Sequence, residues 1–221
     1  MGKRDVDNLL KSNFLDLGFK KKGDYFVKEI DKNIFSSIHY GVGYRIEGHT
    51  IVYPNIGIGY LNINKMYANL CDIKFRYCPI LVKGVYEGWL PENKNREWED
   101  YKRWIFIDDS TGYLSNNEVL SEMMSSVFKH GEPFWKEMSD FDNLFNAVYD
   151  KKLPIEEYTT ECLLPILYYL KGEKENGTKY IEEVIKNAEK KGLPTIHDFN
   201  GHSIYNRTAY LEFAKRYEQL P

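Results

Sequence analysis

The apolar positions of this chain change their rhythm near its middle. At the start, Val6, Leu9, Leu10, Phe14 and Leu17 recur at helical spacing, and Gly18 is a natural stop, so the opening segment predicts a helix. The run KKKG at 20–23 reads as a turn. Beyond it the alternation of Tyr25, Val27 and Glu29 with Phe26, Lys28 and Ile30 predicts a strand. A tight turn at Asp31–Asn33 leads to a second strand at 34–44, and Glu47-Gly48 to a third at 50–63. A short helix is expected at 65–70, then strand-like runs at 80–87 and 103–107 around the charged loop PENKNREWED at 91–100.

After that the period becomes helical. Val119, Leu120, Met123, Met124, Val127 and Phe128 predict a helix over 116–129, ended by Gly131 and Pro133. Further helices are expected from Ser139 or Asp140 as cap, over 159–171, over 174–191 and over 203–217, with Gly172 as the joint of a helical hairpin. The fold class that follows is α+β: an N-terminal helix and an antiparallel meander sheet, then a helical half packed on it. Residues 1–221 are read as one domain, with a sheet-rich half at 1–113 and a helical half at 114–221.

At 221 residues with 43% hydrophobic and 29% charged side chains, the chain has the composition of a globular protein with a sizeable core. Aromatics reach 15%, with 18 tyrosines, which suits half-buried strands and interfaces. The net charge of −3 is unevenly spread: +2 over 1–30, −5 over 31–150 and zero over 151–221. An acidic middle disfavours nucleic acid as the partner, because phosphate neutralisation needs clustered Lys and Arg. The polar start and the lack of any long apolar run predict neither a signal peptide nor a membrane span. Cys71, Cys78 and Cys162, odd in number and irregularly spaced, read as reduced buried thiols, and the expected compartment is the cytoplasm.

The search for chemistry yields little. Gly41-Val42-Gly43 and Gly57-Ile58-Gly59 sit within strand patterns and lack the third glycine of a dinucleotide loop, so crowded packing explains them better. No nucleophile elbow and no HExxH is present, and Asp108 and Asp109 point to opposite faces of a strand. The run IHDFNGH places His197, Asp198 and His202 close enough for zinc, an alternative reading as a small metal-binding protein or enzyme. The favoured reading is a non-enzyme with no cofactor. In GEPFW, Phe134 and Trp135 are read as anchors of the helical half on the sheet, set on a rigid turn.

The run LLKSNFLDLGFKKKGDYFVKEIDKNIFSSIHY, the later YPNIGIGYLNI and the segment GEPFWKEMSDFDNLF together resemble the bacterial domain-of-unknown-function family 4304. Members open with a helix, a GFKKKG turn and strands beginning with an aromatic. The family has no assigned catalytic residues. The resemblance implies an immunity-type protein, of the kind found near polymorphic and contact-dependent toxin loci, that binds and neutralises a cognate toxin. A basic toxin domain is the partner that an acidic face suits, and Glu97, Trp98, Glu99, Asp100 and Asp108 are the contact candidates.

Overall fold

The computed structural model describes residues 3–43, 49–85, 104–107, 116–204 and 208–221. Helix α1 (Lys3–Asp16) buries Val6, Leu10 and Phe14 completely, one residue per turn on a single stripe. Gly18 closes it at a φ of +84°, a conformation that glycine adopts without strain. The strands are β1 (Lys20–Lys22), β2 (Tyr25–Asp31), β3 (Ile34–Gly43), β4 (His49–Tyr60), β5 (Leu81–Gly84) and β6 (Trp104–Ile107). They form one antiparallel sheet in the order β1-β2-β3-β4-β5, with β6 also paired to β4. The predicted meander is therefore present.

Several boundaries differ from the sequence reading, among them the start of the last helix, which is Ala209 rather than residue 203 because Ser203 pairs with His197 instead. Residues 20–22 are a strand rather than part of a turn, pairing Lys20 with Val27 and Lys22 with Tyr25. Three lysines carry no apolar alternation, yet an edge strand needs none. Strand β4 ends at Tyr60, and α2 (Leu61–Cys71) begins where strand was expected. Gly131 and Pro133 do not end the third helix either, since α3 runs unbroken over Asn116–Met138.

Inside that unbroken helix, Trp135 accounts for the glycine. Its indole Nε1 donates to the Gly57 carbonyl at 2.9 Å, and its ring folds back over Gly131. A Cβ at Gly131 would stand 2.7 Å from that ring. The glycine is thus a seat for the indole. Phe134 and Trp135 are both buried, so the helical half is anchored on the sheet as the sequence predicts, from within a helix.

The remaining helices are α4 (Phe141–Tyr149), capped by Asp140, α5 (Thr160–Leu170), α6 (Lys174–Lys191) and α7 (Ala209–Glu218). Helix α5 contains Pro165, which has no N–H for the carbonyl four residues back. That carbonyl, on Glu161, instead accepts the Tyr210 hydroxyl at 3.2 Å. Tyr217 donates to the Pro165 carbonyl at 3.0 Å. Two tyrosines of α7 therefore dock on α5, one of them at the carbonyl that its proline leaves unpaired.

One face of the sheet carries Phe26, Ile38, Ile56, Ile58, Trp104 and Phe106 against α1 and α3, and a single core runs from Val6 to Tyr217. The other face carries Tyr25, Val27 and Phe35, which form a small cluster with Leu61 and Tyr77. Gly57 and Gly59 lie on that face. Side chains there would collide with Ser37, Pro79 and the Phe35 ring, which is the crowded packing expected of them.

Two substitutions test these joints by urea denaturation. Tyr210→Phe strands the Glu161 carbonyl and should cost about 1–3 kcal/mol. In a Pro165→Ala background the new N–H satisfies that carbonyl, and the cost should shrink by more than half. Additivity of the two changes within about 0.5 kcal/mol would refute the account. Gly131→Ala gains about 1 kcal/mol of helix propensity but displaces the indole, and overpacking costs about 1–3 kcal/mol. The single variant should be destabilised, and the same change in a Trp135→Ala background should be stabilising.

Candidate partner-binding groove

The site begins with one buried amide. Asn64 on α2 is fully buried, and its side chain donates to the carbonyls of Arg76 and Cys78, each at 3.0 Å. Its oxygen accepts the Tyr158 hydroxyl at 2.7 Å. Asp72, at a left-handed φ of +56°, turns the chain out of α2, and the amide then holds residues 74–78 across the second face of the sheet. Tyr67 extends the lattice: its hydroxyl donates to the His197 carbonyl at 3.2 Å and accepts the Thr159 N–H at 2.9 Å. The rings of Tyr67, Tyr158 and Phe199 pack edge-on or tilted at centroid distances between 4.8 and 5.5 Å.

Between this strap and β1 lies a trough. One cavity of about 350 Å³ is lined by residues that include Lys22, Tyr25, Lys74, Arg76 and Tyr77. A second, of about 380 Å³, is lined by Lys20, Lys22, Val27, Phe35 and Tyr77 among others. The two share Lys22 and Tyr77 in their walls and so adjoin along this groove. Its floor is aromatic: Phe35 stacks edge-on with Tyr77 at 5.5 Å, and Tyr77 with the exposed Phe75 at 5.7 Å.

The walls are cationic. Lys20, Lys22, Lys74 and Arg76 line the groove against two carboxylates, Asp24 and Glu29, whereas the Lys28 ammonium lies on the opposite face and donates to the Leu17 carbonyl at 3.1 Å. Lys22 lies over the Tyr77 ring at 5.3 Å, and Arg76 bonds the Asn200 side chain. Among the described residues no carboxylate forms an ion pair with Lys20, Lys22 or Lys74. His39 adds no charge here. Burial, then the Lys21 ammonium, lowers its pKa to about 4, so the imidazole is neutral at physiological pH.

The titratable groups beneath the groove are committed to structure. Tyr25 donates its hydroxyl to Glu156 at 3.0 Å. Burial raises the Glu156 pKa, an effect the Tyr25 hydrogen bond partly offsets. The Cys78 thiol is pushed well up by burial and by Glu156, and the Cys162 thiol well up by burial and by Cys71, which removes thiolate character from both.

The histidine loop assembles differently from a metal site. Asp198 Oδ1 accepts the backbone N–H groups of Asn200 at 2.8 Å and His202 at 3.0 Å. Burial opposes ionisation of Asp198, but these bonds prevail and lower its pKa. His202 is exposed, with Nδ1 3.6 Å from the Asp198 carboxylate, while the His197 backbone pairs with Ser203. Among the described residues no three His, Cys, Asp or Glu side chains converge closely enough to hold a metal ion. Glu97, Trp98, Glu99, Asp100 and Asp108 lie outside the described residues. No described helix is long and apolar enough to cross a membrane.

Comparison with known proteins gives no match to any family model, curated protein or solved structure. The groove itself was missed in the sequence because its walls come from distant segments. One local signal was available: Lys74-Phe75-Arg76-Tyr77 alternates basic and aromatic residues, a pattern suited to a strap that presents both kinds of side chain.

The half-buried Glu156 carboxyl gives a pH test. A folded-state pKa above the unfolded value means that the native protein binds the extra proton, so this group's contribution to stability falls as pH rises through that window. Glu156→Gln keeps an acceptor for Tyr25 and removes the buried charge. It should be more stable than the parent at about pH 7, with the gain fading below about pH 4, where the unfolded carboxyl is protonated too. Urea midpoints at the two values decide it, and a gain undiminished in acid would contradict the assignment.

Proposed function

We propose that this chain is a non-catalytic binding protein of the immunity type, which acts in the cytoplasm by occupying and neutralising a toxin. The observation that carries the binding reading is the groove: an aromatic floor, lysines with no carboxylate ion pair among the described residues, and beside them a sheet edge that no described strand covers. Such a surface gains affinity from desolvated aromatics and direction from charge. Glu156 and Asp198 are hydrogen-bonded within the fold and the Cys78 thiol is buried, which supports a binding rather than a catalytic role. The toxin-directed part of the proposal is supported by the resemblance of GFKKKG, YPNIGIGYLNI and GEPFWKEMSDFDNLF to family 4304. Glu97, Glu99, Asp100 and Asp108 remain the candidates for a basic surface on the same partner.

Co-expression with the product of the adjacent gene tests the function. This chain should restore growth to cells that the product poisons, and the two should co-purify in a fixed ratio. Reversing Lys22 and Lys74 to Glu should weaken the complex at least about tenfold, with a smaller loss at high salt. Reversing Glu97, Glu99 and Asp100 to Lys in the same titration measures the acidic stretch. Normal growth without this chain, or poisoning that it does not relieve, would overturn the immunity reading.

A further inference from the structure

We infer that the groove receives an acidic, extended polypeptide segment, added as a strand to the free edge of β1. This rests on the reading of the protein as a partner-binding one and names the chemistry of what it binds. Strand β1 has β2 on one side and no described strand on the other. Its register places Lys20 and Lys22 on the groove side, across from Val27 and Tyr25, while Lys21 shares the opposite face with Phe26. Lys21 is occupied there, donating to the Asp24 carbonyl at 3.0 Å with its ammonium 4.3 Å over the Phe26 ring.

Residues two apart on a strand stand about 6.6 Å from each other. A polypeptide with carboxylates at every second position therefore matches Lys20 and Lys22 as cross-strand pairs. Lys74 on the strap offers a third cation, and the Tyr77 and Phe75 rings take an apolar side chain. Backbone N–H and C=O groups along the open edge need a polypeptide to pair with them, which is strand addition.

The same features exclude other occupants. A second copy of this chain pairing edge to edge would set lysine against lysine. A nucleic-acid strand gains from cations and aromatic rings, but it has no backbone amide groups with which to extend a sheet. Its phosphodiesters leave the open edge unpaired.

The probe is a fluorescein-labelled peptide of about ten residues that alternates Glu with Val and Tyr, titrated with the full chain by fluorescence anisotropy. It should bind, weaken as salt rises, and lose at least about tenfold in affinity to Lys20→Glu/Lys22→Glu. All three β1 side chains are exposed, so that variant should keep the parent circular dichroism spectrum. The same peptide N-methylated at alternate backbone nitrogens, tested in both phases, should lose binding in one phase only. Equal binding by both methylated peptides would overturn strand addition. Tighter binding of oligothymidylate than of the Glu peptide would overturn the assignment of a polypeptide. If the peptide fails to bind while the chain still relieves toxicity, this inference falls and the immunity reading stands. If the peptide binds as stated while no toxicity is relieved, the immunity reading falls alone.

Discussion

A buried amide must have its hydrogen bonds made, and in this protein the satisfaction of Asn64 determines where the groove lies. Its side chain can donate twice and accept, and it does both inside the core. Leaving one such group unpaired costs about 1–3 kcal/mol, so the strap at 74–78 is held against α2 by more than its own apolar contacts. The carbonyls of Arg76 and Cys78 face inward to the amide. The side chains of Lys74, Arg76 and Tyr77 line the groove. Through Tyr158 the amide also fixes the segment that carries Glu156, and so the acceptor beneath Tyr25.

A second constraint works from the sheet outward. A strap can lie on the second face only where β4 carries no side chains, and Gly57 and Gly59 leave that space for Pro79 and Phe35. Gly57 serves both layers, because its carbonyl accepts Trp135 from the helical side. One short stretch of β4 therefore sets the distance of α3 on one face and of the strap on the other. Packing at interior density leaves little freedom for either to shift alone.

How much of this was legible follows from the range of each interaction. The stripe of Val6, Leu10 and Phe14 and the alternation through β2 are local, and they gave the helix and the meander correctly. Asp140 was visible, with Ser139, as one of two candidate caps for the same reason. Pro133 misled because a proline's effect depends on what satisfies the backbone around it, and the sequence does not show what stands across the core. Pro165 makes the point from the other side, since the Tyr210 hydroxyl that meets the Glu161 carbonyl is 49 residues away. Lys20–Lys22 looked like a turn because strand character at an edge is conferred by the neighbour, here β2. The groove was hidden for a similar reason: the partner of Asn64 at Tyr158 is 94 residues distant.

The charge of the chain acquires a clearer meaning in this frame. Read along the sequence, the lysines near the start are a minor excess in a protein of net charge −3. Read in space, Lys20 and Lys22 stand with Lys74 around the aromatic floor of the groove. An exposed strand edge is a hazard, and lysines on it discourage indiscriminate pairing by repelling like edges and by costing desolvation. That repulsion is itself selective. It is relieved only by a strand that brings carboxylates at the matching spacing. In the proposed complex, the lysines that discourage indiscriminate pairing at the edge would also select the strand that is admitted.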